Sequence, residues 1–456
     1  MANLFGTLSV AVRSMLAEQA SMEITANNVA NINTPGYARQ RPLLLESQPL
    51  QLGELVFGTG VDLGQAQTLR DQILELRMHE ETQQQSLFDA RVTALRQIET
   101  MFGESAGDLG TRLTEFFNSL DQLATSPADL SLRQNVLTAA TNLAQGFRTS
   151  AHQLQLQQGN LDLSVTQSVE QVNLLIGQIA RLNGQIDGME NLNEDASILI
   201  NQRTLLVRNL SELIDVKVIE TRPGISLTTS DGTALVADQQ TFPLETRLDV
   251  SGLRHIFSQG SDITSTLQAG KISGLLSVRD RTIPGMLNDL DVLASGLSNA
   301  LNAAHRAGYD LTGGQAGDLF VPPPVGVTGA AAAMDVALTG PSQIAASSDG
   351  ASGSNGNLAR LSGVKAQAVA RGQNPLDFYA GMVFGVGSEV ANDAAESEAS
   401  GLILRQLEDQ RSAISGVSLD EEAANLIRFQ RAYEASARVI ATVNEMTATA
   451  IQLGRY

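Results

Sequence analysis

The chain opens on a long amphipathic stretch. Apolar residues recur at Phe5, Leu8, Val12, Met15, Met22, Ala26 and Val29, with Gln19 as the polar break. Steps of three and four predict one helix over 4–31, roughly 40 Å long at 1.5 Å per residue. The C-terminal stretch 417–453 has the same character. Leu419, Leu426, Tyr433, Ile440 and Thr447 form one seven-residue row; Glu422, Phe429, Ser436, Val443 and Ala450 form a second, three residues on. Both read as heptad seams.

The interior is helical first, then β, then helical again. Residues 71–102 and 111–157 predict helices, with Ser126-Pro127 as a break. Residues 160–190 give the most regular coiled-coil pattern: Val165, Val169, Val172, Ile176, Ile179, Asn183 and Ile186 alternate steps of four and three. Asn183 falls on the seam, where a polar residue fixes register. Residues 216–250 are rich in β-branched residues and carry Pro223-Gly224 and Asp231-Gly232. Asp-Gly predicts a two-residue hairpin turn with both central φ positive, so a small β domain is expected here. Helical signals return at 281–305 and at 376–411. Between them, 321–356 holds three successive prolines, four alanines and then SSDGASGSNG, the composition of a loop or linker.

Between the two end helices and their flanking loops the charge is uneven. The net charge is -19 over 456 residues, but residues 1–36 and 415–456 each sum to only -1, so 37–414 carry the remaining -17. Nearly neutral amphipathic ends flank an acidic body, which implies that the ends meet protein and the body meets water. Such acidity repels phosphate backbones and anionic membrane surfaces, so neither nucleic acid nor membrane is an expected partner. There is no Cys and no Trp, so disulfides and thiolate metal sites are excluded and cores of Leu, Ile, Val and Ala are expected. No apolar run approaches a transmembrane span. No basic region precedes an apolar stretch at the N-terminus, so a cleaved leader is not expected.

Motifs of catalysis are missing. His79, His152, His255 and His305 are isolated from one another, so no metal site is expected and each reads as a surface or boundary histidine. GTGVDLG at 58–64 misses the dinucleotide spacing and reads as a turn before a short strand. DLTGGQAGDLF at 310–320 lacks the closing glutamate of a calcium loop. No cofactor and no enzymatic activity are expected.

One local feature is unusual. NNVANINTPGY, 27–37, places four asparagines at the end of the first helix. Asn27 and Asn31 share a helix face, Asn28 lies beside them, and Asn33 falls at the exit. Pro35 biases Thr34 away from helix and Gly36 permits a tight turn before Tyr37. An amide both donates and accepts, so the cluster suits hydrogen bonds to neighbouring backbones.

TANNVANINTPGYARQRP, 25–42, resembles the N-terminal signature of the bacterial flagellar rod, hook and hook-associated proteins. VSLDEEAANLIRFQRAYEASARVIATVNEM, 417–446, resembles the C-terminal signature of the hook-associated protein 1 family. Blocks at 116–144, 201–218 and 270–313 are also similar to that family, so the resemblance spans most of the chain. Three departures are SVAVRSML after Leu8, Thr204 in place of a common acidic residue, and a short, disordered-looking 321–356. The resemblance implies a mainly α, multi-domain protein. A terminal coiled-coil domain, D0, would take 1–56 with 412–456. A discontinuous helical bundle, D1, would take 57–214 with 270–411. A small inserted β domain, D2, would take 215–269.

The implied role is structural: a junction between hook and filament, assembled as a ring at the hook tip after type III export without a cleaved leader. Implied partners are the hook protein, a second junction protein on the filament side, further copies of the chain, and an export chaperone on the C-terminal helix. The location would be extracellular, on the flagellum. The subunit interface would use Leu8, Val12, Met15, Met22, Asn27, Asn28, Asn31, Asn33, Pro35 and Tyr37, with Leu419, Leu426, Phe429, Tyr433, Ile440 and Val443. Alternatives are a hook or distal-rod subunit, or a secreted adhesin or cell-wall enzyme on an axial scaffold.

Overall fold

The computed structural model describes residues 2–52, 55–103, 108–192, 194–221 and 224–453. It divides into two compact units, the first made of 1–83, 171–244 and 400–456, the second of 84–170 and 245–399. The terminal helices are α1 (Ala2–Ala30) and α10 (Leu419–Leu453). Between them run α2 (Gln72–Phe102), α3 (Leu109–Leu123), α4 (Leu130–Asn191), α5 (Ser197–Leu213), α6 (Gly270–Ser277), α7 (Ile283–Arg306), α8 (Leu358–Gly363) and α9 (Pro375–Ser415). The architecture is mainly α, as expected.

In the first unit, α1 packs along α10. A hairpin follows α1: β1 (Gln40–Arg41), β2 (Leu44–Glu46) and β3 (Leu50–Leu52) pair back on β4 (Leu55–Phe57), β5 (Val61–Leu63) and β6 (Gln67–Thr68) in nested antiparallel ladders. The sequence alone predicts only its turn and one short strand. Gly60 holds φ at 99°, and a Cβ there would lie 3.3 Å from Val10 Cγ1. The hairpin is tied to α1 by Arg13, whose Nη1 lies 2.8 Å from Asp62 Oδ1.

The expected helices 111–157 and 160–190 differ in one respect. Ser126-Pro127 does separate α3 from α4, but α4 then runs unbroken for 62 residues. Gly159 and Gly177 lie inside it, and a Cβ at either would meet nothing within 4 Å. The whole predicted seam from Val165 to Ile186 is buried.

Asn183 is on that seam for a different reason than expected. Its Nδ2 donates to the Ile225 carbonyl at 2.9 Å and the Asp238 carbonyl at 2.6 Å, and its Oδ1 accepts from Arg203 at 2.9 Å. It fastens a β-sheet to the helix rather than setting a coiled-coil register.

That sheet has the order β10-β9-β8-β7, from β7 (Lys217–Thr221), β8 (Gly224–Thr228), β9 (Ala234–Ala237) and β10 (Gln240–Thr241). A second sheet, β11-β12-β13, belongs to the second unit: β11 (Leu244–Leu248), β12 (Arg254–Ser258) and β13 (Ser261–Asp262), with only Leu244 counted in the first. Of the Pro223-Gly224 pair, Pro223 lies outside the described residues. At Asp231-Gly232 only Gly232 has positive φ. The loop there is wider, closed by Thr229 N–H to Thr233 O at 2.9 Å, with the Asp231 carboxylate accepting from Thr233 N–H. The two-residue turn with both φ positive occurs instead at Gln259-Gly260, at 49° and 84°.

The core of the second unit is aliphatic with few aromatics, including Leu95, Ile98, Phe116, Val136, Phe147 and Leu293. One turn after α6 widens to π geometry at Val278–Thr282 and carries the fully buried Arg279. Residues 321–356 are not a disordered linker. They form an irregular but packed segment in which Ala330, Ala331, Met334, Ile344, Ala345 and Ala346 are buried. Polar side chains of α7 hold the stretch and its approach: Asp291 accepts from Gly329 and Ala331 N–H, His305 from Ala345 N–H, and Asn302 brackets Leu319 and Phe320 just before it. Loop composition described its backbone, while burial came from partners distant in sequence.

Gly296 on α7 marks a close approach. A Cβ there would sit 2.0 Å from the Val369 carbonyl oxygen, with backbone that cannot swing aside. Gly296→Ala is expected to lower stability by about 3 kcal/mol, read from urea unfolding.

Candidate functional site

The two signature motifs meet at one place in the first unit. Asn28, on the last turn of α1, is only 1% exposed. Its Oδ1 accepts from Gln40 N–H at 3.0 Å and from the Tyr37 hydroxyl at 2.8 Å. Its Nδ2 donates to the Gln40 carbonyl at 2.9 Å and to Glu422 Oε2 at 3.2 Å. One amide thus satisfies a strand residue's backbone on both sides, a phenol, and a carboxylate 394 positions away.

The turn between these groups is built as its residues demand. Tyr37 N–H donates to Thr34 O at 3.1 Å, Pro35 occupies the second position, and Gly36 holds φ at 79°, which suits a type II turn. It brings Tyr37 back under Asn28. Burial first, then the charges of Glu422 and Asp195, push the Tyr37 phenol up to about 12, so it remains a donor.

Arg39 completes the junction. Its guanidinium pairs with Glu421 at 2.6 Å and Glu422 at 2.5 Å. Its N–H donates to Ser415 O and its carbonyl accepts from Leu69 N–H. Burial works against the charge, but the two carboxylates outweigh it and hold the guanidinium above its ordinary range. Beside this knot lies a cleft of about 520 Å³ lined by Thr25, Arg39, Arg41, Glu421, Glu422 and Arg428, among others.

The remaining predicted residues distribute as follows. Asn31 Nδ2 donates to Asn27 Oδ1 at 2.7 Å and its Oδ1 accepts from the Thr34 hydroxyl, so this pair closes the helix end on itself. Asn33 and Pro35 are exposed. On α10, Phe429 and Val443 are buried, Tyr433 and Ile440 half-buried, and Leu419 and Leu426 exposed. The row containing Glu422 is the one turned inward. On α1, Leu8, Met15 and Met22 are half-buried, while Phe5 and Val12 are exposed, Phe5 at 62%.

The buried face of α1 consists instead of Ala11, Ala17, Ser21, Thr25 and Asn28. It lies about one residue, or roughly 100°, around from the apolar stripe. Small side chains let the two helices approach. Ser21 and Thr25 return their hydroxyls to carbonyls four residues back at 2.7 and 2.9 Å, and Ser14 meets Ser436 at 3.1 Å. The larger apolar residues are left outward. Asn28 was among the expected interface residues, but its bonds are made within the chain, and the sequence did not pair it with Glu422. The available signal was Glu422, a carboxylate standing in an apolar heptad row.

Two histidines expected at the surface are buried, His79 at 6% exposure and His305 at 0%. His305 accepts from Ala345 N–H at Nε2 and contacts Gly317 O through Nδ1 at 2.7 Å, as a neutral ring does. His79 lies among Arg208, Arg70 and Arg411. Burial first, then those charges, push its imidazole down to about 4. Below the ordinary value of 6.5 the unfolded chain takes up a proton that the folded chain refuses. Stability is therefore lost as pH falls from 6.5 toward 4, by about 2 kcal/mol at pH 5. His79→Gln is expected to flatten that acid limb in urea titrations at pH 7 and pH 5.

Among the described residues no cluster of His, Cys, Asp and Glu is arranged to hold a metal ion, and none of their helices is long and apolar enough to cross a membrane.

The N- and C-terminal signatures, joined through Asn28, Arg39 and Glu422, define an axial protein of the bacterial flagellum. Residues 8–37 match the family described as flagella basal body rod protein, and 409–453 match the flagellar basal body rod FlgEFG protein C-terminal family. Residues 95–320 match the flagellar hook-associated protein FlgK helical domain. Flagellar hook-associated protein 1 of Bacillus subtilis is 30% identical over 98% of this chain and 97% of its own length. The Escherichia coli protein of the same name is 26% identical over 95% and 97%. The flagellar hook junction protein FlgK from Burkholderia pseudomallei shares the fold, with a TM-score of 0.66 at 18% identity, over 74% of this chain and all of that one. The chain belongs to the flagellar hook-associated protein 1 family, a family of structural flagellar proteins and not of enzymes.

Proposed function

We propose that this flagellar structural protein is the junction between hook and filament. Copies would stack as a ring on the hook tip after type III export. The hook protein would lie on one side and a second junction protein on the other, and an export chaperone would hold the α10 helix beforehand. D0 would comprise 1–56 with 412–456, D1 57–214 with 270–411, and D2 215–269.

The observation that supports this most is the unburied apolar stripe of α1. Within the chain α1 already has a partner in α10, yet Phe5, Val12, Leu16 and Val29 remain exposed, as do Leu419, Leu426, Ile427 and Met446 on α10. Exposed apolar area on this scale marks a surface that meets protein. The knot at Asn28 fixes the helix pair that presents it.

Deleting the gene is expected to leave hooks assembled while filament protein is shed into the medium. Intact filaments in the deletion strain would refute the junction role. Loss of the hook itself would instead favour a hook or distal-rod subunit. Digestion assays of the purified protein on cell wall are expected to show no activity, against the enzyme alternative.

A further inference from the structure

In the second unit, α4 presents a face unlike the rest of the surface. No exposed position from Leu130 to Gln167 carries a formal charge; the exposed residues are Gln, Asn, Thr, Ser, Gly, Leu and one His. That span is roughly 55 Å of helix. Neighbouring helices of the unit are different: α2 exposes Asp89 and Arg96, α3 exposes Glu115 and Asp121, and α9 exposes Asp377, Glu396 and Glu398. The charges that α4 does carry here are drawn inward or aside. Asp162 and Arg133 are buried, and half-buried Arg148 pairs with Asp335 at 3.1 Å. Leu156 and Leu163, one heptad apart, stand 55% and 54% exposed toward the C-terminal end of this face.

We propose that this face is a lateral docking surface for a second copy of the chain. The proposal rests on the ring assembly described above and names the surface that closes it. Depletion of charge marks the core of a protein interface. The occupant follows from the charge of the chain. At a net charge of -19 two copies repel across most of their surfaces, so they can approach closely only where that charge is missing. Amides and hydroxyls both donate and accept, so polar neutral surfaces can meet without leaving one sign of partner unsatisfied. Leu156 and Leu163 supply its apolar contact.

The chain has no cysteine, so Asn160→Cys places a unique thiol on this face between the two leucines. Labelled with benzophenone maleimide and photolysed in assembled flagella, it is expected to give an adduct of twice the chain mass. An adduct with another flagellar component, or no adduct, would overturn the proposal. Adding Gln153→Glu and Gln167→Glu, both exposed helix positions, is expected to cut the self-adduct about tenfold with an unchanged circular-dichroism melt. An undiminished adduct would also overturn it. The deletion phenotype is read separately: shed filament protein with no self-adduct leaves the junction role standing and removes only this surface.

Discussion

Asp162→Ala is expected to destabilise the second unit by about 3–5 kcal/mol, the cost of leaving a buried charge without its partner. Asp162 sits on α4 with a side chain 4% exposed and holds two arginines. Arg254 Nη1 lies 2.7 Å from Oδ2, and Arg279 Nη1 lies 2.8 Å from Oδ1. The same Oδ1 accepts from Arg254 N–H at 2.8 Å, so the carboxylate also anchors the start of β12. Arg279 is fully buried; it keeps Asp280 as a partner and the Arg254 carbonyl as an acceptor, but the balance of charge in the core is lost. Urea unfolding would measure the loss, and hydrogen exchange should show Arg254–Ser258 opening first. A change below 1 kcal/mol would mean that Asp280 alone neutralises Arg279.

Asn28→Ala is the second large effect, expected at about 3 kcal/mol in the first unit, because removing one side chain leaves several buried groups unsatisfied. The Gln40 peptide loses a partner on both N–H and C=O, and the Tyr37 hydroxyl and Glu422 each lose one. By contrast, Asn27→Ala with Asn31→Ala removes bonds made mainly between those two residues and Thr34, and should cost well under 1 kcal/mol. Proteolysis of the purified protein would separate them: the Asn28 variant should release α1 from α10, and the double variant should not. If the double variant nevertheless loses filament attachment, Asn27 and Asn31 act between subunits.

Much of the helical framework was legible because its pattern is local. The seam from Val165 to Ile186 could be read from spacing alone, and every position on it is buried. The hairpin at 40–68 was not legible. Its strands are two or three residues each, too short to show alternation, and they exist by pairing across the turn. The same limit applies to 321–356, where alanines and glycines gave no periodicity, and the buried anchors are Asp291 and His305 on another helix. The histidines failed for a related reason: isolation from other ligands said nothing about how deeply His79 and His305 lie.

What sequence determined by itself was the family, through two signatures and their flanking blocks, and the mainly helical architecture, because helix periodicity is set within a few turns. It also determined where charge is missing. Tertiary structure alone decided how the ends engage. The apolar stripe of α1 suggested the packing face, but the helix turns small residues and Asn28 toward α10, since close approach and four satisfied polar groups are possible only on that side. The asparagine cluster therefore divides in two. Asn27 and Asn31 close a helix end, while Asn28 reaches Glu422, and that pairing depends on a contact between opposite ends of the chain that no local pattern records.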